Sequence, residues 1–315
     1  MKIIALADTH FGHRMGRPIN GEYPSVKAKF TAFRQIIEFS KQIDADIIVH
    51  CGDVFDIPNP PQPIKRMAVT LFEEILETGR HLIILPGNHD RSVYENNLLQ
   101  FYYPNFHIIN SLKEINVGSL SFIGFPYTKQ PEQLMAKAIR SAEKSPNQAI
   151  IICHQTFKGA TVGPQRFTFR DGLPPPKLPS NVPFIISGHI HRSQQVHNVL
   201  YPGSTERTGF PEVIEPKGFL LIDTEAQSVT FKELQTMPMK VEETSFEEAL
   251  LHEPDENTYT LLRIINKPLS EKEIAQIHAH TRKYPLLEYS PKSPELPLQP
   301  LYHNPPPFHP ISWTK

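Results

Sequence analysis

Five short apolar runs, each stopping abruptly in a polar cluster, constrain the fold of this 315-residue chain more than any other feature. Ile3 to Ala7 leads into Asp8-Thr9-His10, and Ile47 to Val49 into His50-Cys51-Gly52-Asp53. His81 to Leu85 leads into Pro86-Gly87-Asn88-His89-Asp90, Ala149 to Cys153 into His154, and Phe184 to Ser187 into Gly188-His189-Ile190-His191. Runs of this length, rich in Ile and Val and lacking strict alternation, suit strands buried on both faces, as in the parallel sheet of an α/β domain. Ligand groups in such sheets gather at the carboxyl ends of the strands. All five clusters fall there.

Between the runs the period becomes helical. Val26, Phe30, Phe33 and Ile37 form one core-facing stripe; Ile64, Met67, Leu71 and Ile75, closed by Gly79, form another. Pro131 is expected to open a third helix at its first position, running through Leu134, Ala138 and Ile139. Val117-Gly118-Ser119-Leu120 and Asp223-Thr224-Glu225-Ala226 read as hairpin turns, so antiparallel strands should complete the sheets. Composition shifts after Leu234, with Gln235 to Pro238 as a linker. Beyond it come a strand at Thr258 to Ile265, a helix from Ser270 to Lys283 opened by the capping box Ser270-Glu271-Lys272-Glu273, and a short strand near Leu286 to Tyr289. From Pro291 onward eight prolines in 25 residues exclude helix and central strand, leaving a surface or mobile tail. The expected divisions are a domain over 1–236, a cap over 237–290 and the Pro-rich tail 291–315.

Composition removes several classes. With 39% hydrophobic and 21% charged residues the chain is neither disordered nor membrane-spanning, since no apolar run approaches the roughly 18 residues a bilayer requires. A net charge of -1 excludes nucleic-acid binding by bulk positive charge and requires a local patch for it. Two cysteines, Cys51 and Cys153, are too few for a disulfide framework, read as small buried residues, and point to a reducing, cytoplasmic setting. Met1 to Ala7 begins like a signal peptide, but its apolar run ends at Asp8 and reads as a strand.

Taken singly, a histidine at a strand end is usually a hydrogen-bonded core residue. The set is different: Asp8, His10, Asp53, Asn88, His154, His189 and His191 are all oxygen or nitrogen donors at one edge of one domain. Burying so many ionisable groups together is costly without a cation. Seven donors exceed a single tetrahedral site and suit two ions about 3.5–4 Å apart sharing a carboxylate. Such mixed ligation fits borderline-to-hard divalent ions.

Asp8-x-His10, Gly52-Asp53-x-x-Asp56, Gly87-Asn88-His89-Asp90, His154 and Gly188-His189-x-His191, in that order, resemble the signature of the calcineurin-like metallophosphoesterases. Within that superfamily the chain is most similar to the SbcD-type DNA repair nucleases, through Asp8 to Gly12, Gly52 to Asp56 with the Pro-rich loop after it, and Tyr201 to Arg207. The resemblance covers roughly residues 1–290, strongly to 210. It implies a four-layer α-β-β-α sandwich with a small C-terminal β/α cap, and a metal-dependent exonuclease or endonuclease acting on DNA phosphodiesters. It implies one ion on Asp8, His10, Asp53 and His191 and a second on Asp53, Asn88, His154 and His189, with Asp53 bridging. Manganese is the expected metal, with zinc or iron as alternatives. His89 is implied to be the catalytic residue, facing the phosphate without binding metal. Asp90 either orients its ring or serves as a turn residue; Asp56 is left as a structural acceptor, and His13 and His50 as neighbours of the cluster.

The stretch Thr156 to Pro183 is long for a loop and rich in Gly and Pro, as functional flaps are. From His154 to Arg192 it carries Lys158, Arg166, Arg170, Lys177 and Arg192 against the single acid Asp171, interleaved with Phe157, Phe167 and Phe169. That mix grips phosphates and stacks on bases; alternatively its aromatics pack on the core beneath a solvated loop. Arg14 and Arg17 extend the same edge. The competing reading is a phosphoesterase for cyclic nucleotides or phosphomonoesters, and a fold retained without turnover is the third. Gly-Asn-His-Asp in place of the Gly-Asn-His-Glu of the superfamily's protein phosphatases disfavours that branch. DNA is the expected partner. The SbcC-type ATPase that the resemblance implies is disfavoured as a stable partner, because the chain ends in prolines and Phe308, Ile311 and Trp313 rather than a helical segment.

Overall fold

The computed structural model describes residues 1–90, 103–265, 268–291 and 308. The first three runs are β1 (Lys2–Leu6), β2 (Ile47–His50) and β3 (His81–Ile84), which pair in parallel with one another and with β4 (Phe106–Ile108). The helices α1 (Pro24–Gln42) and α2 (Gln62–Leu76) are the crossovers between them. A second sheet is built from β5 (Lys113–Val117), β6 (Leu120–Gly124), β7 (Gln148–His154), β10 (Ile185–Gly188), β11 (Gln194–Val196) and β12 (Val199–Tyr201), in the order β11-β12-β10-β7-β6-β5. The helix α3 (Glu132–Lys144) connects β6 to β7. The hairpin β13 (Gly218–Asp223) and β14 (Ser228–Glu233) then returns to the first sheet, pairing antiparallel with β1.

The runs lack alternation because both faces are buried, yet the faces meet different partners. Ile4, Leu6, Ile48 and Ile84 point to α1 and α2, where Phe30, Phe33, Ile37, Leu71 and Phe72 receive them. Ile3, Ala5, Ile47, Val49 and Ile83 point the other way, onto Phe122, Ile150, Ile152 and Ile186 of the second sheet. The outer face of that sheet, Ile123, Ala149, Ile151 and Ile185, carries Met135, Ala138 and Ala142 of α3. The result is the α-β-β-α sandwich.

Some details differ from the periodicity. Met67 is 44% exposed, and Ala68 and Phe72 take the buried positions on α2. Pro131 is the N-cap of α3 rather than its first helical residue. The flap holds a two-residue hairpin, β8 (Thr161–Val162) against β9 (Phe167–Thr168). After the linker, β15 (Met239–Thr244), which periodicity does not mark, pairs in parallel with β16 (Tyr259–Ile264), which pairs with β17 (Leu287–Pro291). The helices α4 (Phe246–Ala249) and α5 (Glu271–Thr281) pack on this small sheet around Phe246, Leu262, Ile264, Ile277 and Leu287. The capping box at Ser270 and Glu273 is formed. Phe308 packs against the core between the two large sheets; Ile311, Trp313 and the rest of the tail beyond Pro291 lie outside the described residues. Among the described residues no helix is long and apolar enough to cross a membrane.

Candidate metal centre

All five clusters lie at the carboxyl ends of β1, β2, β3, β7 and β10, so the topology brings them to one edge. Loops meet there more closely than side chains allow. A Cβ on Gly87 would overlap the carboxylate and backbone nitrogen of Asp53, and one on Gly52, whose φ is +98°, would overlap the His154 ring. Asp8, His10, Asp53 and His189 all take left-handed backbone conformations, with φ between 51° and 83°. Asp and His tolerate that region better than most residues, but the strain is of order 1–3 kcal/mol each and persists where surrounding structure enforces it.

The donors converge in three overlapping groups, Asp8–His10–His191, His10–Asp53–His89 and Asp53–His154–His189, whose ligand atoms lie within 4.8 Å of one another in each group. Asp53 belongs to two of them. Its Oδ2 is 3.2 Å from Nε2 of His154 and 3.8 Å from Nε2 of His10, while its Oδ1 accepts the His89 N–H at 2.9 Å. Asp8 accepts the His189 N–H at 3.1 Å. Asn88 reaches the same place from the exposed side, its Oδ1 2.9 Å from Nδ1 of His189 and 3.2 Å from Nε2 of His154. Nε2 of His10 and Nε2 of His191 face each other at 3.1 Å.

The outer ring nitrogens show how the rings are aimed. Nδ1–H of His154 donates to the Cys51 carbonyl at 2.7 Å, which leaves Nε2 for the cluster. Nδ1 of His191 meets Oε1 of Glu212 at 2.8 Å. Nδ1 of His10 is 3.3 Å from Oδ1 of Asp56, out of alignment for a hydrogen bond.

Charge in this pocket is governed by its carboxylates. Burial alone pulls His154 down, yet Asp53, by its charge and hydrogen bond, and then Asp8 lift its pKa to about 9. Burial pushes Asp53 up, but His154 and His10 hold it below the ordinary carboxylate range. Burial dominates at His10, lowered to about 3, and at His189, lowered to about 4 with His154 adding to the effect. Two buried acids, Asp8 and Asp53, beside a fully enclosed imidazole make an environment that favours positive charge, and the donor set fits divalent ions.

His89 is exposed at the rim, its ring edge-on to His10 at 4.8 Å. Its Nδ1–H donates to the Asp56 backbone carbonyl at 2.8 Å. The Asp56 carbonyl therefore holds the ring from its Nδ1 side. The buried Asp90 carboxylate instead accepts from Gly87 N at 2.9 Å, Val54 N at 2.7 Å and Phe55 N at 3.1 Å, tying the loop after β3 to the loop after β2. His13 bonds Asp56 Oδ1 and the Thr208 carbonyl, and His50 is buried with Nε2 2.8 Å from Thr9 Oγ1. Cys51 and Cys153 are fully buried in the core. Glu212, Thr208 and Lys217, which back His191, carry no motif that sequence reading detects.

Of the residues expected to meet substrate, Lys158, Arg166, Arg170 and Lys177 are exposed on the flap. Of its aromatics, Phe157 is fully buried and Phe169 packs on the same core, while Phe167 is 63% exposed beside the flap cations. Arg14 is exposed with its guanidinium 5.1 Å from the Tyr23 ring centroid. Arg17 does not extend this edge. It docks on the cap through the carbonyls of Thr281, Tyr284 and Leu287.

A family model described as calcineurin-like phosphoesterase matches residues 1–193. The chain is similar to the DNA double-strand break repair protein Mre11 of Methanococcus maripaludis, with 25% identity over 247 residues, 71% of this chain and 63% of that protein. It is similar to the SbcD component of the nuclease SbcCD of Staphylococcus saprophyticus, with 25% identity over 288 residues, 79% of this chain and 73% of that protein. A third such relative, the Mre11 protein of Saccharolobus solfataricus, is 21% identical over 196 residues, 61% of this chain and 49% of its own length. The chain thus spans less than two-thirds of the length of either Mre11 protein.

Proposed function

The chain belongs to the calcineurin-like phosphoesterase family, and from that premise we propose that it is a metal-dependent DNA nuclease with a dinuclear manganese centre on Asp8, His10, Asp53, Asn88, His154, His189 and His191. The observation that carries the reading is the convergence of donors from five strand ends on one pocket, with the exposed His89 at its rim. Divalent ions bound there supply charge neutralisation of phosphoryl oxygens and a lowered pKa for an attacking water. His89, with its Nδ1–H held by the Asp56 carbonyl, presents Nε2 to a phosphate at the rim, where the doubly protonated ring donates its Nε2–H to a phosphoryl oxygen or hands that proton to the leaving oxygen and is left neutral. The Mre11 relatives' role in DNA double-strand break repair favours DNA as the polymer, and the exposed flap cations, with Arg14, offer its backbone a track. On this reading residues 1–236 form the nuclease domain, 237–290 the cap and 291–315 the tail, and the protein works in the cytoplasm.

The test is a substrate panel with added Mn²⁺: labelled linear duplex, single-stranded DNA, a cyclic nucleotide and a simple phosphomonoester. Metal-dependent cleavage of DNA is expected. His89→Ala should retain the metal while losing about 10²- to 10⁴-fold in rate. Hydrolysis confined to the cyclic nucleotide or the monoester overturns the nuclease reading. Loss of metal with His89→Ala moves that ring into the His10–Asp53 group as a ligand.

A further inference from the structure

His191 turns Nε2 toward the cluster and Nδ1 away from it. Behind Nδ1 stands Glu212, the last residue of a short 3₁₀ turn, Phe210–Glu212. Its carboxylate is gripped on both oxygens: Thr208 Oγ1 donates to Oε1 at 2.7 Å, Thr208 N donates to Oε2 at 3.0 Å, and Lys217 Nζ lies 3.0 Å from Oε2. Lys217 is almost wholly buried, and its ammonium also donates to Glu215 and to the His191 carbonyl, each at 3.1 Å. One cation therefore fixes the carboxylate behind the ring and the backbone that carries it.

A carboxylate only accepts, so the hydrogen of this contact belongs to Nδ1 and the lone pair remains on Nε2. The opposite tautomer would aim an N–H into the cluster and remove His191 from the donor set. At His10 the corresponding nitrogen has a carboxylate nearby but unaligned, so the preference is built more firmly at His191.

We propose that Glu212, fixed by Lys217 and Thr208, is a positioning residue that sets the tautomer and aim of His191 for metal ligation. The proposal rests on the reading of the cluster as a metal centre. Outer-sphere partners of this kind change metal affinity by about 10- to 100-fold when removed.

Two measurements decide it. In metal-free parental protein labelled with ¹⁵N in its histidine rings, long-range ¹H–¹⁵N correlation, with His191 assigned by its loss in His191→Ala, should report Nδ1–H; Nε2–H overturns the proposal without recourse to any Glu212 variant. Calorimetric titration with Mn²⁺ alone should give two ions in the parental protein, and in Glu212→Leu one of them weakened about 10- to 100-fold, with Glu212→Gln between. Parental protein that binds no Mn²⁺ overturns the metal centre and this role with it, whereas two ions of unchanged affinity in a folded Glu212→Leu overturn the role of Glu212 alone.

Discussion

At the scale of single residues the centre is surrounded by charges that the hydrophobic pattern hides. Lys29 sits on the buried face of α1, and its Nζ has no hydrogen-bond partner among the described residues. Burial lowers its pKa from 10.5 to about 8, against the pull of Glu206, Glu212 and Asp56, with Lys217 acting in the same sense as burial. Below pH 8 the amine is protonated in both states and the folded protein bears the whole penalty. Between pH 8 and 10.5 the unfolded chain binds more protons, so stability rises with pH, by about 3 kcal/mol across the window at about 1.36 kcal/mol per unit. Lys29→Met lacks that rise. Urea unfolding of the metal-free proteins from about pH 7 to 10.5 should show the parental protein gaining on the variant; parallel curves would remove the buried charge from the account. Lys29 and Glu212 are not legible in the sequence, because a lysine in a helical stripe reads as a breach of the pattern and Glu212 lies 21 positions after the ring it faces. The candidate ligands are legible, since strand ends in a parallel sheet are few and a polar residue there is placed by topology alone.

At the scale of elements, buried strands and helices follow from period and length, and the departures have local causes. Met67 shares the stripe of Ile64 and Leu71, yet it stands at 44% exposure while its neighbour Ala68 and Phe72 one turn on are fully buried with Leu71 and Ile75. The strand β15, Met-Lys-Val-Glu-Glu-Thr, is hidden from sequence reading because it is an edge strand half open to water, with too little apolar content to mark it. The flap is the element where two readings stand open in the sequence, and each describes part of it. Its base is tied down: Phe157 N donates to the Tyr201 hydroxyl at 2.9 Å, and Lys158 N to the Leu173 carbonyl at 2.8 Å. The exposed side carries Lys158, Arg166, Arg170 and Lys177. Replacing these four by neutral residues should weaken DNA binding and flatten its salt dependence by about 0.7 to 0.9 logarithmic units per lost phosphate contact. Fluorescence anisotropy across a salt series measures both. Unchanged affinity and slope on duplex and single strands would show that the flap is not the DNA site.

At the scale of the whole molecule, the small sheet after the linker, the cap of the proposal, leans on the sandwich. Its own core is a handful of side chains around Leu262 and Ile277, far fewer than either large layer holds. The loop after β1 supplies the missing support: Arg17 N donates to the Pro285 carbonyl at 2.9 Å, and the Tyr259 hydroxyl donates to the Met15 carbonyl at 3.1 Å. The Arg17 guanidinium meets the carbonyl of Thr281, the last residue of α5, where the helix dipole favours a cation, and those of Tyr284 and Leu287 just beyond it. A second tie joins the linker to the residues before the 3₁₀ turn, with Arg207 Nη1 donating to Thr236 Oγ1 at 2.6 Å and Met237 N to Glu206 at 2.9 Å. Arg17→Ala removes the charged donor and leaves the apolar contacts of the cap intact. Its effect should therefore be local: amide exchange in β16 and α5 should quicken markedly, while β1, β2 and β7, buried between layers, keep their protection. Uniform loss of protection would mean that the cap and the sandwich unfold as one unit, against the division at residue 236. Unchanged exchange in β16 and α5 would mean that the guanidinium adds nothing to docking and is left free to serve another surface.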